Sequence, residues 1–396
     1  MTVTDPAPGA VSDPVVQRPF ALTADQHVLA EAVAAFTETE IAPYALDWDR
    51  DKHFPVDVIR SAAQLGIGGV YVREDVGGSG LSRLDATVVF EALARGCPAI
   101  AAYISIHNMV AAMVDRFGDD EQRRTWLPRI CSMELLASYC LTEPEAGSDA
   151  AALRTRAVRE GDGYVLTGVK QFISGAGATD LYLVMARTGE PGAKGISAFL
   201  VPGDAPGLSF GANERKMGWN AQPTRQVVLD GVRVPAEQRL GPEGKGFAIA
   251  MAGLDGGRLN IGACSLGGAQ AAADLCLPHL RSRVAFGRPL ADLQTMRFGL
   301  ADMDIRLESA RTLLWRAAAA LDSGDPDARR LCAMAKCVAT DAGFDVANAA
   351  LQMHGGYGYL AEYGLEKIVR DLRVHQILEG TNEIMRVVVS RALMGA

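Results

Sequence analysis

Glu379 stands between an apolar side chain and a glycine, in the run Gln376, Ile377, Leu378, Glu379, Gly380, Thr381, Asn382, Glu383. A carboxylate of this kind can take a proton from a weakly acidic C–H only if burial raises its pKa and the developing anion is stabilised. Leu378 helps to exclude water, and Gly380 lets a ligand approach the backbone. The plain alternative is the start of a helix, capped by Thr381 or Asn382, where the helix dipole favours acidic residues. Taken by itself the run is equally at home there. Arg258 has a similarly plain alternative as a surface ion pair. Familiar nucleotide and metal motifs are missing. Gly66–Gly69 and Gly244-Lys245-Gly246 complete neither G-x-G-x-x-G nor a P-loop, no C-x-x-C occurs among the seven cysteines, and the six histidines have no ligand spacing beside them.

The elements that must position these residues follow from periodicity and breakers. Thr23 and Gln26 have capping-box spacing, and Val28, Val33, Phe36 and Ile41 continue a helical pattern. Further helices are expected over 56–65, 84–94 and 100–117, with Gly66, Gly96 and Gly118 as C-caps. Between residues 164 and 240 the apolar runs are short (164–166, 181–186, 196–201, 226–229) and split by Gly, Pro, Asp and Asn, which reads as an antiparallel β region. From Gly246 long helical stretches return, broken at 287–289, 323–326 and 355–358. The order α, β, α argues against a doubly wound nucleotide fold, in which strands and helices alternate. The expected organisation is a flexible arm over 1–20, a helical domain over 21–137, a β domain over 138–243 and a helical bundle over 244–396.

Bulk properties exclude several classes. With 396 residues the chain exceeds one ordinary core, and 49% apolar with 22% charged residues is a globular composition. A net charge of −8 without a basic cluster gives nucleic acid no footprint. No uninterrupted apolar stretch of membrane-spanning length occurs, and residues 1–20 have neither an apolar h-region nor an Arg-rich amphipathic face. Scattered cysteines suit reduced thiols in a cytoplasmic protein, and the Ala, Gly and Arg usage hints at a bacterial source.

Several separated segments, in order, carry a more specific signal. Residues 139–144 (Tyr139 to Pro144), 172–177, 218–225, 352–358 and 376–383 together resemble the acyl-CoA dehydrogenase family, over nearly the whole chain from about Thr23. The resemblance implies an α+β fold: an N-terminal helical domain, a middle antiparallel β-barrel and a C-terminal four-helix bundle. It implies FAD as cofactor, an electron-transferring flavoprotein as electron acceptor and a homotetramer. It points to short, branched acyl-CoA substrates such as isobutyryl-CoA, with 2-methylbutyryl- and butyryl-CoA also open, and leaves an oxidase or a non-catalytic scaffold as alternatives.

By the same resemblance Glu379 is the catalytic base, because the region 254–258, where some relatives carry theirs, offers Gly256 and Gly257. Asp255, Arg258 and Gly380 are then contacts around substrate and base, with Ser148 and Arg391 toward the CoA moiety. The flavin is expected to be held by Tyr139, Leu141, Thr142, Gly147 and Ser148 from one loop. Phe172, Ile173 and Ser174 would flank its ring system. Arg283, Phe286 and Gln294 would reach the FAD of a neighbouring subunit, and Gln352, Gly355, Gly356, Thr381, Asn382 and Glu383 would complete the contacts. Glu145 departs from the glycine that many relatives have there.

Overall fold

The computed structural model describes residues 21–395, so the arm expected over 1–20 lies outside the described residues. Six helices come first: α1 (Ala24–Phe36), α2 (Ala45–Asp51), α3 (Val56–Ser61), α4 (Arg83–Gly96), α5 (Pro98–Phe117) and α6 (Asp120–Cys131). Eight strands follow: β1 (Ala137–Cys140), β2 (Arg156–Glu160), β3 (Gly163–Ser174), β4 (Leu181–Arg187), β5 (Ile196–Pro202), β6 (Leu208–Phe210), β7 (Thr224–Pro235) and β8 (Arg239–Leu240). The last part is α7 (Gly246–Ser282), a hairpin of β9 (Val284–Ala285) and β10 (Arg288–Pro289), α8 (Gln294–Asp322), α9 (Ala328–His354), α10 (Leu365–Arg373) and α11 (Asn382–Met394).

Local chemistry explains the helix starts. Thr23 and Gln26 form the expected reciprocal capping box, and Ser82 with Asp85 and Asp119 with Gln122 form two more. The glycine stops are less uniform. Gly66 adopts the left-handed conformation expected of a C-cap, at φ 72°. Gly96 instead is the last residue of α4, and the extended Cys97 separates it from Pro98 at the start of α5. Gly118 caps α5 in an extended conformation.

The strands form one sheet in the order β6-β7-β3-β2-β4-β5-β8, with β1 beside β4. It is not wholly antiparallel, as the sequence reading had it: β1 runs parallel to β4, and β2 meets β4 in parallel at one pair. A strand of four residues, 137–140, carries no periodic signal for the direction of its partner. The interior of the sheet is packed by Tyr164, Tyr182, Phe199 and Val227.

α7 is the central post of the helical part, packing on α4, α5, α8 and α9. Its glycines allow this closeness: a Cβ at Gly267 would collide with the Glu91 carbonyl of α4, and one at Gly268 would stand 2.8 Å from Pro98. One apolar core therefore runs from Leu93 and Ile100 through Leu259 and Leu266 to Leu314 and Val346. A second core joins Met109 and Val114 of α5 to Leu183, Leu200 and Ile249, fixing the sheet against the helices.

The loop after β1 is tied down by charge. Lys170 of β3 is fully buried and donates from Nζ to Glu143 Oε1 at 2.8 Å, while the N–H groups of Arg154 and Thr155 donate to the same carboxylate at 2.6 and 2.9 Å. Removing the anion strands a buried ammonium, which costs about 3–5 kcal/mol. Glu143→Gln is therefore expected to lower the midpoint of urea denaturation markedly; an unchanged midpoint would contradict this reading of the pair.

Candidate active site

Glu379 lies in the corner between the turn at 374–376 and α11. The corner is tight: Glu379 has φ 56° and Gly380 φ 88°, so two successive residues are left-handed. For a glutamate that conformation is costly and persists only where the surroundings impose it. Thr381 then caps α11 through Oγ1, which accepts from the Ile384 N–H at 3.3 Å. The N–H groups of Glu379 and Gly380 meet no acceptor among the described residues.

The carboxyl group is turned inward. Its Oε2 is sealed from solvent and has no hydrogen-bond partner. A Cβ at Gly257 of α7 would stand 2.6 Å from this oxygen and 3.0 Å from Met109 Sδ of α5. The oxygen thus rests on a bare stretch of α7 that only glycine provides. Burial raises the Glu379 pKa to about 7, against the opposing pull of the Arg258 and Lys336 cations. Such a group exchanges a proton readily near neutral pH.

Arg258 is buried, reaches the Glu379 carbonyl at 3.5 Å from Nε, and donates from Nη1 to Asp255 Oδ1 at 2.6 Å. Asp255 is further bound by Arg329 at 3.2 Å. Both residues therefore brace the corner. Tyr139 of β1 approaches from the other side; its hydroxyl is buried without a partner, and burial together with the Glu379 charge pushes its pKa well up. The adjoining loop presents Thr142, Gly147 and Ser148 at least partly to solvent, while Leu141 is buried.

On β3 the side chain of Phe172 is 62% exposed and held outward at φ 60°, where the pairing with β7 shifts register. Ile173 points into the sheet's core, so any ligand it meets is met through its backbone. The Ser174 carbonyl accepts from Ser138 Oγ at 2.6 Å.

A second cleft of about 390 Å³ lies at the far end of α7 and α9, lined by Arg283, Gln352, Gly355, Gly356 and Tyr357 among others. Gly355 and Gly356 leave open space where side chains would otherwise stand. Beside it, the β9–β10 hairpin thrusts Phe286 into solvent, 91% exposed at φ 53°. Gln294 is exposed at the start of α8. Sixteen residues of α9 separate Gln352 from Lys336 below Glu379, about 24 Å of helix.

Two expected contacts look different in three dimensions. Asn382 is buried, and its side chain is fully occupied: Oδ1 accepts from Lys336 Nζ at 2.9 Å, and Nδ2 donates to Thr340 Oγ1 at 3.0 Å and Asp341 Oδ1 at 2.7 Å. Through this side chain it ties the corner to α9. Arg391 is exposed, nine residues beyond Asn382 and so about 14 Å along α11. Sequence reasoning passed over Lys336, Tyr71, Asn260 and Met109. Only Lys336 had a signal, as a lone cation on the Ala335, Ala339, Val346 stripe of an amphipathic helix.

The chain matches the family descriptions for the acyl-CoA dehydrogenase N-terminal domain over residues 23–134, middle domain over 138–232 and C-terminal domain over 244–394. The chain belongs to the acyl-CoA dehydrogenase family. It is similar to the mitochondrial isobutyryl-CoA dehydrogenase of Bos taurus, with 54% identity covering 94% of this chain and 90% of that protein. Among solved structures it is similar to butyryl-CoA dehydrogenase from Megasphaera elsdenii, with 38% identity, a TM-score of 0.92, and 95% and 99% of the two chains covered. PigA, solved with FAD and proline, is similar at 29% identity and a TM-score of 0.91, covering 95% of this chain and 99% of its own. The activity is acyl-CoA dehydrogenation. The compositional hint of a bacterial source draws no support from the mitochondrial relative. Among the described residues no helix is long and apolar enough to cross a membrane.

Contact between Gly257 and the Glu379 carboxyl yields a direct test. In Gly257→Ala the new methyl group must displace Oε2, and misplacing a reacting group by about 1 Å costs on the order of 100-fold in rate. A loss of about that size in acyl-CoA turnover is expected, with thermal stability little changed; full activity would show that the carboxyl does not work from this position.

Proposed function

We propose that this chain oxidises a short, branched acyl-CoA, isobutyryl-CoA to methacrylyl-CoA, and that Glu379 removes the α proton. The observation that carries the proposal is the sealed, unpartnered Oε2 of Glu379, on a group whose pKa is lifted to about 7. A thioester α proton is weakly acidic, so its removal requires a base of matched strength and stabilisation of the enolate oxygen. The free N–H of Glu379, held at positive φ beside Gly380, is a fixed donor for that oxygen. Arg258 and Asp255 hold the corner while the carboxyl changes charge.

The chain's residues fit a flavin nucleotide. Phe172 offers an exposed aromatic face, Tyr139 a buried hydroxyl without a partner, and Thr142 and Ser148 two further hydroxyls with the open backbone at Gly147. Backbone groups of Leu141, Ile173 and Ser174 lie along the same edge. At the far cleft, Arg283 with the open Gly355–Gly356 turn suits a diphosphate. FAD, when bound, supplies the hydride acceptor for the β hydrogen, a capacity no side chain has. The proposed assembly is a homotetramer in which Arg283, Phe286 and Gln294 of one subunit serve the nucleotide of another, the two regions of each chain lying roughly 24 Å apart along α9. An electron-transferring flavoprotein is the proposed electron acceptor.

Substrate length is argued from Tyr71. Its hydroxyl accepts from Asn260 Nδ2 at 3.0 Å, and the Arg83 guanidinium lies 3.5 Å over its ring. Asn260 is one helical turn along α7 from Gly257, and the Glu379 charge acts on the Tyr71 hydroxyl, so Tyr71 stands near the base and is the proposed limit on acyl length. The similarity to isobutyryl-CoA dehydrogenase supports the branched choice.

Purified with FAD, the protein is expected to be bleached by isobutyryl-CoA in the absence of oxygen, faster than by butyryl- or 2-methylbutyryl-CoA. Glu379→Gln should keep its flavin and lose bleaching; retained bleaching would remove Glu379 from the mechanism. Because only the ionised base accepts a proton, kcat/KM should rise with pH through about 7 and level off above it. Tyr71→Ala should shift the preference toward longer, straight acyl chains by about tenfold or more, read from kcat/KM across a substrate panel.

A further inference from the structure

The most unusual charge in the helical part is one the mechanism above has not used. Lys336 of α9 has 0% of its surface exposed. Its ammonium donates to the Gly380 carbonyl at 2.9 Å and to Asn382 Oδ1 at 2.9 Å. Among the described residues no carboxylate lies within salt-bridge distance of it, in contrast to Lys170 and Lys367, the other deeply buried lysines, each paired to an acid at 2.8 and 2.7 Å. A buried cation without a contacting anion is expensive, and a scaffold needing only packing would place an apolar side chain here. Its two acceptors flank Thr381, immediately after Glu379.

We infer that Lys336 is a positioning residue of the base: its ammonium group anchors the Glu379–Gly380 corner to α9 and supplies, together with Arg258, the buried positive charge beside Glu379. The inference rests on Glu379 acting as the base. Two of the three ammonium hydrogens fix the carbonyl and amide on either side of Thr381, so the left-handed corner cannot relax without breaking them. Asn382 extends the tether to Thr340 and Asp341 on the next turn of α9. The charge acts with the geometry. Burial draws the Lys336 pKa down to about 8, and Glu379 is the largest opposing influence on it.

Other groups face this pair. Around Glu379 they are Arg258 from α7, Tyr139 from β1 and Tyr71 from the segment before α4. Around Lys336 they are Asp341 and Cys337 of its own helix, His375 from the turn before the corner and Glu383 of α11. His375 is held neutral by burial, with a pKa of about 3, so it does not replace the lysine as a cation near neutral pH, and burial keeps the Cys337 thiol protonated and uncharged. Arg258 is already committed to Asp255 at 2.6 Å. Arg258 nonetheless exerts the larger pull on Glu379 and Lys336 the next, so removal of the unpaired Lys336 should also be felt by the base.

The test compares FAD-loaded wild type with Lys336→Gln, which keeps a donor near Gly380 but loses the charge, Lys336→Met, which loses both, and Lys336→Arg, which keeps the charge. The readout is the pH profile of kcat/KM for isobutyryl-CoA, with flavin content and thermal unfolding checked in each. Losing one nearby cation raises a carboxyl pKa by about one unit or more. In the Gln and Met variants the acid limb should therefore move up by about one unit, giving about a tenfold loss below it that shrinks as the pH rises, whereas the Arg variant keeps the wild-type limb. Lys336→Met should show an additional, pH-independent loss from the freed corner. A limb unmoved in Lys336→Gln, or a loss equal at every pH, overturns the inference. A Lys336→Gln chain that cannot fold would also overturn it, by assigning the lysine to the scaffold alone. Turnover surviving in Glu379→Gln would instead refute the base reading and leave Lys336 to be judged by that separate result.

Discussion

The site depends on keeping water away from one carboxyl oxygen. Glu379 Oε2 has no partner in the folded chain, and a lone carboxylate buried in this way is unstable unless it takes up a proton or finds a cation. The chain applies both influences at once. Burial pushes the proton on, while Arg258 and Lys336 pull it off, and the balance falls near neutral pH. A group in that balance can accept a proton and release it again without a large free-energy change in either direction.

Much of the helical architecture serves this balance. Helix α7 must pass close to the carboxyl without covering it, which explains the glycine at 257 despite the cost of glycine inside a helix, while Gly256 makes room for the Arg83 guanidinium. Met109 from α5 closes one side, and the tether from α9 through Asn382 closes another. The sheet's role is different. Bound to the helices through the core around Met109, Leu183 and Ile249, it presents Phe172 and the loop after β1 to solvent. Left-handed Glu379 stores strain that these contacts hold in place, whereas Gly380 adopts the same region freely.

The order of helices and strands was readable because caps and periodicity are local: the Thr23–Gln26 box lies within four residues of chain. Glu379 could be singled out only through the company of the run 376–383 with the separated segments at 139–144, 172–177, 218–225 and 352–358, since by itself the run reads as a helix start. What could not be read depends on partners distant in sequence. Lys336 and Gly380 are 44 residues apart, and nothing in either position announces the bond between them. The inward bonding of the Asn382 side chain is hidden for the same reason: a polar residue in a ligand-rich run is indistinguishable from one folded inward until α9 is in place. Ile173 sits beside the exposed Phe172, yet strand alternation turns its side chain into the core. The parallel pairing of β1 with β4 was hidden by the shortness of the strand.

Desolvation holds a single carboxyl group at a pKa near neutral. Infrared difference titration of the protein against Glu379→Gln isolates the carboxylic C=O band of this side chain. The account predicts that the protonated band persists well above the ordinary value of 4.5 and disappears around pH 7. Complete ionisation near 4.5 would contradict it, because the oxygen would then be solvated and the site around it would have no base of matched strength.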